Sequence, residues 1–159
     1  MQVEMMVKGL IIDPVSDMPI IVLKKPDGDE VLPIWVGMFE ANAIAQQLEH
    51  VVPPRPQTHD LMCSILETMR ARLQRIVITE LRDSTYYAIL HVEREGESFE
   101  IDARPSDAMV LALRTKAPIF VEEAVLEASA EEGSESDEAE RLRKWLEGVD
   151  PEELGRYEM

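Results

Sequence analysis

Three short stretches of this chain carry side chains that could do chemistry together. Arg55-Pro56-Gln57-Thr58-His59-Asp60 puts a guanidinium, an imidazole and a carboxylate within one short run. Asp102-Ala103-Arg104-Pro105-Ser106-Asp107 repeats the cation and adds two carboxylates, and Glu40 stands in a third segment. Carboxylates near one another can hold Mg²⁺ or Mn²⁺, and a metal pair can activate water and steady the leaving oxygen of a phosphodiester. An imidazole can serve as general base or acid, and an arginine can hold phosphate or stabilise developing charge.

Each stretch also has a structural reading. Prolines 53, 54 and 56 make a stiff arm that ends where a helix begins, with Thr58 as N-cap and His59 and Asp60 in the first turn. Pro105 starts another helix, and Asp107 and Glu40 complement helix dipoles in the same way. A histidine at a helix N-terminus is equally suited to binding phosphate. Nothing local in the chain dictates that these groups converge.

Composition narrows the choices. In 159 residues, 16 Lys and Arg stand against 32 Asp and Glu, a net charge of −16, so a broad basic nucleic-acid footprint is absent. Any nucleic-acid activity needs a local arginine cluster or divalent metal. Cys63 is the only cysteine and reads as a small core residue, which excludes a disulfide framework and a cysteine zinc site and fits a reducing compartment. No basic region followed by an apolar run opens the chain, and no stretch is long enough to span a bilayer; the expectation is a cytoplasmic protein with no membrane partner. The Gly-flanked serine turn, the HExxH helix and the phosphate-cradling glycine loop are all missing.

The elements that must position these groups are legible from periodicity and turn chemistry. Strands are expected over 3–12, with Gly9 as a bulge, then 19–23 and 31–36, with Pro26-Asp27-Gly28 turning the second onto the third in an antiparallel meander. Helical spacing follows over 38–50 and again over 58–73, the latter with Leu61, Ile65, Leu66, Met69 and Leu73 as a core-facing stripe. Residues 75–81 and 86–93 form a second hairpin, 99–103 a further strand, 105–116 a third helix, and 118–121 a short strand that closes the sheet. A short helix continues over 122–130. Trp35 and Gly37 fall at a strand end facing the next helix, where an aromatic more often serves a core or an interface than a stacked base. The fold class is α+β, a compact domain with an antiparallel-rich mixed sheet packed by about three helices over 1–130. An acidic linker over 131–138 and a short helical tail over 139–159, anchored by Trp145 and Leu146, complete the chain.

Taken together, Leu32-Pro33-Ile34-Trp35-Val36-Gly37 with Glu40, the 55–61 stretch, Thr85-Tyr86-Tyr87-Ala88, residues 101–108 and Ala117-Pro118-Ile119-Phe120-Val121 resemble the bifunctional nuclease domain family. The resemblance covers roughly residues 3–130 and implies a compact α+β domain that self-associates and cleaves DNA and RNA. Glu40, Arg55, His59, Asp60, Asp102, Arg104 and Asp107 all match its motifs. On that basis we expect a nuclease that binds its substrate weakly. His59 and Asp60 act in catalysis with Arg55 and Arg104 on phosphate, and Glu40, Asp102 and Asp107 hold Mg²⁺ or Mn²⁺. The rival expectation is a non-catalytic regulatory module that binds a small anionic ligand or a protein partner.

Overall fold

The structure, a computed structural model, describes residues 1–134. Its strands are β1 (Gln2–Ile12), β2 (Pro19–Lys24), β3 (Val31–Trp35), β4 (Ala71–Arg82), β5 (Thr85–Arg94), β6 (Glu97–Ala103) and β7 (Ile119–Glu122). The helices are α1 (Met38–Leu48), α2 (Thr58–Thr68), α3 (Pro105–Thr115) and α4 (Glu123–Ser134). All seven strands join one sheet in the order β3-β2-β1-β7-β4-β5-β6, so the α+β expectation holds, and α4 is the short helix expected after the three that pack the sheet. None of the described helices is long and apolar enough to cross a membrane.

Two antiparallel halves make up this sheet. In the first, the Pro-Asp-Gly turn joins β2 to β3, and Gly28 donates its N–H to the Lys25 carbonyl. β1 serves two neighbours in succession: residues 2–5 pair with β7 and residues 6–12 with β2, with an irregularity between Val7 and Gly9 just after the strand changes partner. A bulge at such a place lets one strand turn a corner between differently oriented parts of a sheet. The second half is the β4-β5-β6 meander. Its first turn puts Asp83 and Ser84 at φ 50° and 61°, the paired left-handed geometry that a right-twisted hairpin needs, here without glycine.

Residues 118–121 supply the short strand expected to complete the sheet. β7 lies in its middle, antiparallel to β1 and parallel to β4, with Ile119 opposite Ile76 and Val121 opposite Ile78. A short apolar run with no polar alternation suits a central strand rather than a rim.

The second helix is also shorter than periodicity indicated. α2 ends at Thr68, Arg70 turns left-handed at φ 59°, and β4 begins at Ala71, so Leu73 is a buried strand residue. The expected stripe is divided: Leu66 packs against the core, as does Cys63, both as expected, whereas Leu61, Ile65 and the C-cap Met69 are 53, 53 and 50% exposed. Helical spacing identified a periodic face without saying which side would meet the sheet. α4 runs four residues into the stretch expected as linker, and the 139–159 tail lies outside the described residues.

The main core lies between the sheet and the helices, with Ile21, Leu23, Ile76 and Ile78 from strands meeting Ile44 of α1 and Met109 of α3. A smaller cluster, Ile11, Ile20, Val22 and Val31, buries the alternate side of the first half. Ile76 is fully buried on β4 and faces β7 directly. Ile76→Ala should therefore destabilise the protein by about 3 kcal/mol in denaturant unfolding, the usual size for truncating a large buried aliphatic side chain to alanine.

Candidate active site

Three helices begin at one corner of the domain. Gly37 precedes α1 with extended backbone, and Glu40 follows in the first turn. A Cβ on Gly37 would collide with the Glu40 carboxylate, so the glycine leaves room for that side chain to fold back over the helix start. The proline arm leads into α2, whose second residue is His59. Arg104 precedes α3, Pro105 supplies the preset φ of the first helical residue, and Asp107 lies one turn inside. Three helix N-termini, each the positive end of its dipole, thus lie beside a common space.

The side chains meet there in one connected network. Arg104 donates from Nε to Asp107 Oδ2 at 2.9 Å, from Nη2 to Asp107 Oδ1 at 3.2 Å and from Nη1 to Glu40 Oε1 at 2.9 Å. His59 Nε2 lies 2.9 Å from Asp107 Oδ1. Together with Phe39, Asn42 and Gln57, these residues line a cleft of about 570 Å³. Arg104, with 63% of its side chain exposed, spans the mouth of the cleft, whereas the carboxylates it binds are more enclosed.

Burial pushes the Asp107 carboxyl up, but hydrogen bonds from Arg104 and His59 and the nearby positive charges outweigh it and hold the group below its usual range. Glu40 is lowered too, first by its own backbone N–H and then by Arg104. An ionised Asp107 only accepts hydrogen bonds, so His59 Nε2 must carry the proton between them. That leaves Nδ1 as the nitrogen that can exchange a proton with a ligand. The same count applies to Arg104: three of its five N–H groups are committed to carboxylates, leaving one on each terminal nitrogen for an incoming oxygen.

The other residues singled out from the sequence sit elsewhere. Asp60 Oδ2 accepts the backbone N–H of Gln57, making Gln57 rather than Thr58 the cap of α2. Its other oxygen accepts from Arg114 Nε at 3.3 Å, and the side chain lines a separate cavity with Ser64, Arg114 and Lys116. Arg55 is exposed on the proline arm. Asp102 is exposed on β6 opposite Ile89, and strand alternation turns it away from the helix side where Ala88 and Leu90 are buried.

The set Glu40, Asp102 and Asp107 is therefore not gathered. Among the described residues no three His, Cys, Asp or Glu side chains are grouped to hold one ion. The Arg104 guanidinium already occupies the space between the two carboxylates that do share the cleft. As arranged, these residues do not fit a divalent metal. Sequence reasoning missed the cleft residues Phe39 and Asn42 and the Arg114 partner of Asp60. Phe39 had one available signal, an aromatic in the first turn of a helix whose core face comprises Ala41, Ile44 and Ala45.

A carboxylate with a depressed folded pKa stabilises the fold above its unfolded pKa and loses that contribution as pH falls through the folded value. Asp107→Asn should cost about 2 kcal/mol at neutral pH, the scale of hydrogen bonds to charged groups. Its unfolding free energy should converge on that of the wild type as pH drops below the ordinary carboxylate range. Denaturant titrations over that range would reject this linkage if the two curves ran parallel.

Residues 21–133 match the bifunctional nuclease domain. A Mycobacterium tuberculosis protein described as uncharacterized is 37% identical over 162 residues, spanning 95% of this chain and 97% of that protein. Bifunctional nuclease 1 of Oryza sativa subsp. indica is 34% identical over 105 residues, and bifunctional nuclease 1 of Arabidopsis thaliana 31% over 107. In these plant proteins the match takes up 32 and 33% of their own length. Matched over most of its length, from the middle of the first meander through α4, the chain belongs to the bifunctional nuclease domain family.

Proposed function

We propose that the protein hydrolyses phosphodiester bonds of nucleic acid in the cleft formed by Glu40, His59, Arg104 and Asp107. The observation that carries this reading is the meeting of an Asp-oriented histidine and a partly uncommitted arginine at three helix N-termini, in a chain of this family. Arg104 uses its two remaining N–H groups to hold the phosphate. His59 takes a proton at Nδ1 from the attacking oxygen, or returns one to the leaving oxygen, while Asp107 fixes the ring and stabilises imidazolium. Glu40 keeps the guanidinium oriented across the opening.

The proline arm that borders the cleft carries one charged side chain, the exposed Arg55. Arg114 and Lys116 line the neighbouring cavity, and Pro56 lines both that cavity and the cleft. A phosphodiester backbone leaving the cleft across the arm passes Arg55 and then Arg114 and Lys116, which supports weak, salt-sensitive binding of DNA or RNA.

The test is cleavage of single- and double-stranded DNA and RNA by the purified full chain with Mg²⁺, Mn²⁺ or EDTA. His59→Ala should lose about 10²-fold or more of the rate, and Arg104→Lys should also fall sharply because a point charge cannot replace the shared fork. Metal-dependent cleavage that needs Glu40 and Asp107 would mean an ion takes the place of the guanidinium. The ion-pair network favours the second reading, a non-catalytic module for an anionic ligand, if the purified protein retains phosphate or nucleotide and turns nothing over.

Self-association belongs to the same reading. It is supported by the exposed apolar side chains Leu61, Ile65 and Met69 on α2. Ile65→Asp should shift the sedimentation profile toward the monomer; an unchanged profile would remove α2 from any interface.

A further inference from the structure

On the other side of the Arg104–Glu40 ion pair lies a second cavity, of about 290 Å³. Glu40 and Arg104 line both spaces, so the pair is the partition between them. The second cavity is walled by Trp35 and Tyr86, with Ser84, Thr85 and Ser106 supplying polar edges. An aromatic-lined space next to a phosphate grip has the form of a nucleotide site split into two parts.

Trp35 is the unusual member. It ends β3, and its residue is 39% exposed rather than packed in the core. Its indole N–H nevertheless donates to Asp13 Oδ2 at 2.8 Å. Asp13 is itself 8% exposed and also accepts from the Ser16 hydroxyl at 2.8 Å and the Val15 N–H at 2.9 Å. The β1–β2 turn therefore holds an exposed indole in one orientation. A ring fixed in this way loses little side-chain entropy when a planar group lies against it.

We propose that this cavity receives the nucleobase attached to the phosphate that Arg104 holds, stacked on Trp35. The inference rests on the nucleic-acid reading above and deepens it: the site engages a nucleotide through base and phosphate on opposite sides of one ion pair. Stacking uses the π-face that every base possesses, while hydroxyls such as those of Ser84, Thr85 and Ser106 can donate or accept. The pocket therefore accepts different bases.

Trp145 is the only other tryptophan, so the full-length Trp145→Phe protein reports on Trp35 alone. We would titrate it with adenosine 5′-monophosphate and with ribose 5-phosphate. Saturable quenching by the nucleotide, with affinity about tenfold or more above that of the sugar phosphate, is the expected result. Trp35→Leu, followed by calorimetry, should bring the nucleotide down to the sugar phosphate's affinity and leave the latter unchanged. Equal affinities for the two probes, no saturable nucleotide binding, or undiminished binding by a folded Trp35→Leu protein would overturn the proposal. If that variant does not fold, the two-probe comparison in Trp145→Phe decides alone. A trinucleotide separates the two sources of such a base: tighter binding than the mononucleotide assigns the pocket to a strand, equal binding to a free nucleotide, and both keep the base assignment. Base-dependent binding without any cleavage would sink the nuclease reading and retain the pocket, whereas cleavage with base-independent binding would do the reverse.

Discussion

The four residues of β7 hold the two halves of this molecule together. Ile119–Glu122 pairs with β1 on one side and β4 on the other, and among the described residues no other strand joins the first meander to the second. Glu40 belongs to the helix that follows the first meander, while Arg104 and Asp107 belong to the helix that follows the second. Their hydrogen bonds exist because β7 sets the distance between α1 and α3, which then pack against each other over a shared core. The site is a consequence of that junction.

What forms there is electrostatically economical. Three helix starts direct partial positive charge into one space, and Glu40 and Asp107 answer it with carboxylates. A single guanidinium then links both acids and retains two donors, while the histidine is oriented by an oxygen the arginine already shares. The network makes a chain of net charge −16 compatible with a phosphate ligand at one corner, because both acids already have cationic or N–H partners.

Much of the architecture was legible because it is local. The Pro-Asp-Gly hairpin, the bulge at Gly9, the starts of all three early helices and the second hairpin follow from turn chemistry and periodicity within a few residues. The misreadings came where local rules have two solutions. The α2 periodicity was real, but an amphipathic pattern does not specify which neighbour a helix will have, and the core took Cys63 and Leu66 while leaving Leu61 and Ile65 exposed. Residues 118–121 read as a strand from composition; that it would be inserted centrally depended on a parallel partner forty residues upstream.

The candidate site divides in the same way. The sequence by itself determined which residue types stand at helix starts, because prolines, a glycine and capping acids act on their immediate backbone. It could not sort Asp60 from Asp107, since both are first-turn aspartates beside an Arg-Pro pair. Tertiary structure decided that: Asp60 turns to its own helix cap and Arg114, Asp102 to the far side of a strand, and Asp107 to His59 and Arg104. The contacts that distinguish them, His59 with Asp107 and Arg104 with Glu40, span 48 and 64 residues. Such contacts follow from the order of strands in a sheet, and no local preference encodes that order.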